Sequence, residues 1–214
     1  MVEGVFFDFD GTLFDTERDI LEAYRKVFRK LNISADLKFL RIGPPLEESI
    51  RAVRPDISGG ELAEAMAGFR EFYDGSGFPA TPPYPGVPEM LRRLARSGKK
   101  LFIATNKRVR PTRLILEKHG FLPLFAGVYA GDSDPACRRN KSENLLYAVS
   151  QHGLKPENSV MIGDTRLDIE AGRRAGMRTF GVTWGYDVQG ELEQSRPDGL
   201  AASPEELLNW LEAR

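Results

Sequence analysis

The run Val5-Phe6-Phe7-Asp8-Phe9-Asp10-Gly11-Thr12 is apolar until it ends abruptly in two carboxylates and a glycine. β-Branched and aromatic residues followed at once by turn chemistry describe a strand buried on both faces of a parallel sheet. Ligands of open α/β sheets bind just beyond the carboxyl ends of such strands. Asp8 and Asp10 alternate along the chain and so project similarly at that end. Gly11 lets the backbone approach a ligand closely, and Thr12 adds a hydroxyl. The competing reading is a tight Asp-Gly turn after an edge strand. It leaves two neighbouring carboxylates repelling one another with neither a cation nor a proton to offset them.

The same pattern recurs along the chain. Leu101-Phe102-Ile103-Ala104 is a strand that ends at Thr105-Asn106-Lys107, and Val160-Met161-Ile162 stops at Gly163-Asp164-Thr165, with Asp168 one helical turn further on. Gly127–Ala130 and Thr179–Val182 read as further strands. Helices are expected between them: one carrying Met90, Leu91 and Leu94, one carrying Leu114, Ile115 and Leu116, one over 142–152, and a last one opened by Pro204. Repeated strand-helix units imply α/β architecture, a doubly wound parallel sheet of Rossmann-like type with right-handed crossovers. That topology brings Asp8, Asp10, Thr105, Asn106, Asp164 and Asp168 to one edge.

Between the first strand and the rest of this pattern lies an all-helical stretch. Asp15-Thr16 starts a helix with Ile20, Leu21, Tyr24, Val27, Phe28 and Leu31 on one face. Pro44-Pro45 opens a short second helix, stopped by Pro55, and Ser58 with Glu61 forms a capping box for a third. The Asp74-Gly75-Ser76-Gly77 turn and the prolines up to Pro85 make a helix-free return. The expected division is an α/β core over 1–14 and 83–214, with a small helical module inserted over 15–82.

Composition limits the functions open to such a fold. Its 214 residues, 41% hydrophobic, bury a core without disulfides. Thirty basic and 31 acidic residues leave a formal charge of -1, so no general attraction to nucleic acid or an anionic membrane is expected. Cys137 is the single cysteine, which excludes an internal disulfide and a cysteine zinc site. No apolar stretch reaches membrane-spanning length, and a soluble cytoplasmic protein is the expectation. His119 and His152 each precede a glycine, the pattern of a helix end rather than of catalysis.

Four acids gathered at one edge require a cation, and all-oxygen ligation suits Mg2+ bound by a few carboxylates, water and substrate phosphate. Calcium or a purely structural ion is the alternative. With such a site one ionised carboxylate can attack a phosphate monoester and form an aspartyl-phosphate, while the second protonates the leaving alkoxide and later deprotonates water.

These residues in this order resemble the haloacid dehalogenase superfamily, in particular its phosphatases with a small helical cap such as phosphoglycolate phosphatase. The resemblance implies that Asp8 is the nucleophile and Asp10 the general acid and base, with Asp8, Asp10 (through its backbone carbonyl) and Asp164 on magnesium. Asp168 would orient metal-bound water or the lysine, and Thr105 and Asn106 would bind the phosphoryl oxygen. The phosphoryl-holding lysine would be Lys141, which lacks the proline that normally follows it; Lys107, Arg138 and Arg139 are the substitutes. The segment 15–82 would be a mobile cap whose loop residues Arg41 and Gly43 contact substrate. Trp184 and Tyr186 line the entrance or simply pack. The implied activity is magnesium-dependent hydrolysis of a small phosphorylated metabolite by a monomer or homodimer. A phosphomutase and a non-enzymatic aspartyl phosphoacceptor are the alternatives; a dehalogenase has no use for Asp10.

Overall fold

A computed structural model describes residues 2–134, 136–137, 139–187 and 190–213. Strand β1 (Gly4–Phe7) leads into three helices, α1 (Glu17–Lys30), α2 (Leu46–Val53) and α3 (Gly59–Asp74). There follow α4 (Val87–Arg96), β2 (Lys100–Thr105), α5 (Val109–Lys118), β3 (Gly127–Ala130), α6 (Lys141–Gln151) and β4 (Ser159–Gly163). The chain continues through α7 (Arg166–Arg174), β5 (Arg178–Val182), α8 (Glu191–Gln194), β6 (Gly199–Ala201) and α9 (Pro204–Glu212).

The strands form one parallel sheet in the order β3-β2-β1-β4-β5-β6. Two-residue alternation sorts their side chains between two faces. Val5, Phe7, Leu101, Ile103, Val160 and Ile162 share one core cluster with residues of α4, α5 and α9. Phe6, Phe102, Ala104 and Met161 pack on the other face against Leu145, Ala148 and Val149 of α6 and Ala171 of α7. Phe6 and Phe102 stack at 4.5 Å. The doubly wound architecture expected from the strand pattern is therefore present. Strand β6 and helix α8 were not anticipated. Gly199-Leu200-Ala201 is too short to show a period, and it is a strand because it pairs with Phe180–Val182.

Helices α1 and α3 pack together, with Ala23, Tyr24 and Val27 of the first and Leu62 and Ala65 of the second buried in one apolar cluster. Gly68 permits the close approach, since a Cβ there would lie 2.6 Å from Val27 Cγ2. The capping box of Ser58 and Glu61 opens α3 as expected. Helix α1 starts where expected, with Asp15 Oδ1 accepting from Glu17 N at 3.3 Å, and gains a second, distant cap. The Thr16 side chain makes no cap bond, and its backbone N–H and that of Glu17 donate to the Tyr186 hydroxyl at 2.6 and 3.0 Å. The two chain segments joining the helical module to the sheet run side by side, with Asp15 N donating to Pro82 O and Tyr84 N to Leu13 O, each at 3.0 Å. His119 and His152 stand at the C-terminal ends of α5 and α6, before glycines of positive φ. No described helix is long and apolar enough to cross a membrane.

Candidate active site

The sheet register sets the site. Phe7 pairs with Ile103 and Ile162, and Asp8 N donates to Ile162 O at 2.8 Å, so the ends of β1, β2 and β4 lie side by side. Asp8, Asp164 and Asp168 are buried, and each offers one carboxylate oxygen to a group whose members all lie within 4.8 Å of one another. Helix α6, opened by a capping box of Asn140 and Glu143, places Lys141 at its first residue. The buried Lys141 Nζ donates to Asp8 Oδ1 at 2.8 Å and to Asp168 Oδ1 at 2.5 Å. Asp168 in turn caps α7, its Oδ2 accepting from Thr165 N and Oγ1 at 3.1 and 2.7 Å. Asp164 accepts from Thr12 Oγ1 at 2.9 Å and from Tyr186 N at 2.7 Å. Gly11, at φ 81°, is required here because a Cβ would come within 2.1 Å of Asp164 Oδ2.

Three carboxylates against one ammonium leave the site short of positive charge. Burial pushes the Asp8 carboxyl up to about 7, opposed by Lys141 and reinforced by Asp168 and Asp10. Burial also holds Asp164 well above the usual carboxylate range, with Asp168 and Asp8 adding repulsion. Burial alone would lower Lys141, but Asp168 and Asp8 outweigh it and keep the ammonium protonated above its ordinary value. Buried, crowded carboxylate oxygens with too little counter-charge are the donor set a hard divalent cation takes. The residues fit Mg2+.

The carboxylate that groups with those of Asp8 and Asp164 is that of Asp168, while the Asp10 side chain turns to another partner. Asp10 Oδ1 accepts from Lys107 Nζ at 3.0 Å, and the same ammonium donates to the Tyr73 hydroxyl of α3 at 2.6 Å. Thus Lys107 serves Asp10 and Lys141 serves Asp8. Arg139 pairs with Asp134 at 3.5 Å, while Arg138 lies outside the described residues. Thr105 is buried at the end of β2, its Oγ1 accepting from Lys107 N at 3.2 Å. The Asn106 side-chain amide donates to Gly43 O at 2.8 Å, tying the sheet edge to the loop before α2. Arg41, in that loop, reaches Glu191 at 3.4 Å.

A cavity of about 590 Å³ opens between this edge and the helical module, lined by Asp8, Asp10, Thr105 and Asn106 below and by residues of the 41–49 loop and α3 above. Tyr73 and Tyr186 are the participants whose roles the sequence reading did not identify. Tyr73 lies on α3, and nothing in its local sequence reveals where its hydroxyl reaches. The sequence reads Tyr186 as an entrance or packing residue, whereas it binds Asp164 through its backbone and α1 through its hydroxyl.

Carboxylates and a lysine converging beyond the strand ends of a doubly wound sheet, under a helical module, define a hydrolase of the phosphoryl-transfer type. The model of the haloacid dehalogenase-like hydrolases matches residues 5–182, and the chain belongs to that family, on the side of its phosphatases. It is 31% identical over 216 residues to a phosphoglycolate phosphatase of Vibrio vulnificus, covering 96% of this chain and 94% of that one. A tyrosine-protein kinase, PtkA, of Mycobacterium tuberculosis is 32% identical over 185 residues, which are 85% of this chain and 62% of the kinase. A haloacid dehalogenase-like hydrolase of Streptococcus pneumoniae superposes with a TM-score of 0.88 at 30% identity over 98% of both chains.

Proposed function

We propose that the protein is a magnesium-dependent phosphomonoesterase that hydrolyses a small, phosphoglycolate-like metabolite through an aspartyl-phosphate on Asp8. The observation that carries this reading is the Lys141 bridge. It fixes Asp8 Oδ1, and among the described residues none donates to Oδ2, while Asp8 lines the cavity. An oriented carboxylate with one oxygen free beside a substrate-sized cavity is a nucleophile awaiting phosphorus.

In the first displacement that oxygen bonds to phosphorus as the bond to the leaving oxygen breaks, and Asp10 delivers the proton that makes the leaving group an alcohol. In the second, Asp10 takes a proton from water, the water oxygen bonds to phosphorus, and the acyl-phosphate bond breaks to return Asp8 and release phosphate. Lys141 stays on Asp8 throughout and stabilises the charge on the transferring group. Thr105 and Asn106 would donate to phosphoryl oxygens, Asn106 after exchanging its bond to Gly43. Asp8, Asp164 and the Asp10 backbone carbonyl would hold Mg2+, with Asp168 as a further ligand or the acceptor of a metal-bound water. When bound, the ion supplies the missing positive charge and keeps Asp8 ionised at neutral pH.

The module of residues 15–82 is proposed to act as a cap that shields the acyl-phosphate from stray water. A cytoplasmic setting and a monomeric or homodimeric state complete the proposal. With an aryl phosphate and Mg2+, Asp8→Asn is expected to lower kcat by on the order of 10³-fold or more, and a chelator to abolish turnover reversibly. Undiminished activity of that variant overturns the nucleophile. Transfer of the phosphoryl group to a sugar or a tyrosine, with no inorganic phosphate released, overturns the hydrolase reading in favour of a mutase or kinase.

A further inference from the structure

Among the described residues four arginines line the cavity, and three are committed to acids: Arg41 to Glu191 at 3.4 Å, Arg139 to Asp134 at 3.5 Å, and Arg108 to Asp74. The fourth, Arg70 of α3, has no acidic partner among the described residues, and its Nε is buried without a hydrogen-bond acceptor. Acids that share the cavity wall are engaged elsewhere. Asp10 accepts from Lys107, Glu47 pairs with Arg51 at 3.0 Å, and Asp132 accepts from Val109 N at 2.8 Å. The same cavity wall also carries the apolar Ile20, Met66 and Phe69, the last two on the helix that bears Arg70.

A buried guanidinium N–H without an acceptor is unfavourable, and buried donors in folded proteins nearly always find partners. Its planar fork matches a carboxylate or phosphate in two-point contact. Resting on the phosphomonoesterase reading, we propose that Arg70 binds a second anionic group, a carboxylate or phosphate, carried by the leaving alcohol. The transferred phosphoryl lies at Asp8 and Lys141, and the carbon skeleton bridges along the apolar wall to the α3 arginine. Arg70 then takes the substrate-selecting role that the sequence reading gave to Arg41.

The test compares kcat/KM for four esters: a phosphorylated hydroxy acid, an alkane diol bisphosphate, a phosphorylated neutral alcohol of matching length, and p-nitrophenyl phosphate. The wild type is expected to prefer at least one of the two esters with a second anion over the neutral one by roughly ten- to a hundred-fold. Which of the two is preferred identifies the anion. In Arg70→Gln that preference collapses, mostly through KM, and in Arg70→Lys part of it returns. No preference in the wild type, or a preference that survives Arg70→Gln, overturns the assignment while leaving the phosphatase intact. Failure of all four esters with Mg2+ overturns both.

Discussion

Asp8 and Asp10 are two residues apart and meet different cations. Lys141 holds Asp8 and Lys107 holds Asp10, so each carboxylate of the pair has its own support and its own proposed task. Removing the second support in Lys107→Met is expected to lower kcat by roughly a hundred-fold, the lower end of general acid-base contributions, with less effect on KM. Steady-state kinetics on an aryl phosphate measures it, and wild-type kcat in the variant would separate Lys107 from proton transfer. The raised carboxyls of Asp8 and Asp164 make a second prediction. Burial lifts Asp8 from an ordinary 3.8 to about 7, so the metal-free fold keeps protons that the unfolded chain releases. Stability without metal therefore declines as pH rises through that interval, and a bound divalent ion offsets the loss. The rise in thermal midpoint on replacing a chelator with Mg2+ should be larger at about pH 8 than at about pH 5. Equal rises speak against metal at this cluster. The strand ends that carry Asp8 and Asp164 were legible as local patterns, whereas Lys141 was expected only from the family resemblance. The direction in which Asp10 turns was not legible, since it depends on a lysine and a tyrosine brought from other segments.

Helices and their connections carry the next layer. The first turn of α1 supplies Asp19, whose Oδ2 accepts from Ala80 N at 3.0 Å and Thr81 Oγ1 at 2.7 Å in the returning connector. Asp19 is 7% exposed, so Asp19→Ala strands two donors beside a buried gap. A loss of about 3 kcal/mol is expected for a charge-assisted pair of this kind, or roughly 6–12 °C in Tm for a chain of this size. Denaturant titration and calorimetry check it, and Asp19→Asn should recover part. The capping box, the prolines and the glycine stops gave α2, α3 and the ends of α5 and α6 in sequence, because each is chemistry within a few residues. The Tyr186 cap on α1 joins positions 170 residues apart, and no local signal encodes it.

Across the whole molecule the parallel sheet and the inserted helices were readable, and the strand order was not. Periodicity says that Val5–Phe7 is buried, while only the packed structure sets β1 between β2 and β4. The buried residues of the helical module belong to the same apolar cluster as one face of the sheet, through Phe9, Leu13, Phe14 and Phe78. Paired backbone bonds at Asp15–Pro82 and Leu13–Tyr84 fasten the two connectors to each other. If 15–82 moves as a cap, rotation is confined to this double tether. Amide exchange is then expected to slow in the 41–46 loop, and at Asn106 facing it, when vanadate and Mg2+ fill the site, with the sheet strands unchanged. Uniform protection across the chain would argue for a rigid body. Tyr73 gives this arrangement a practical corollary: it hands the ammonium beside Asp10 an anchor rooted in the upper helices. Transplanting a foreign module onto this sheet would alter, in a single stroke, both the alcohol admitted and the efficiency with which that alcohol is expelled.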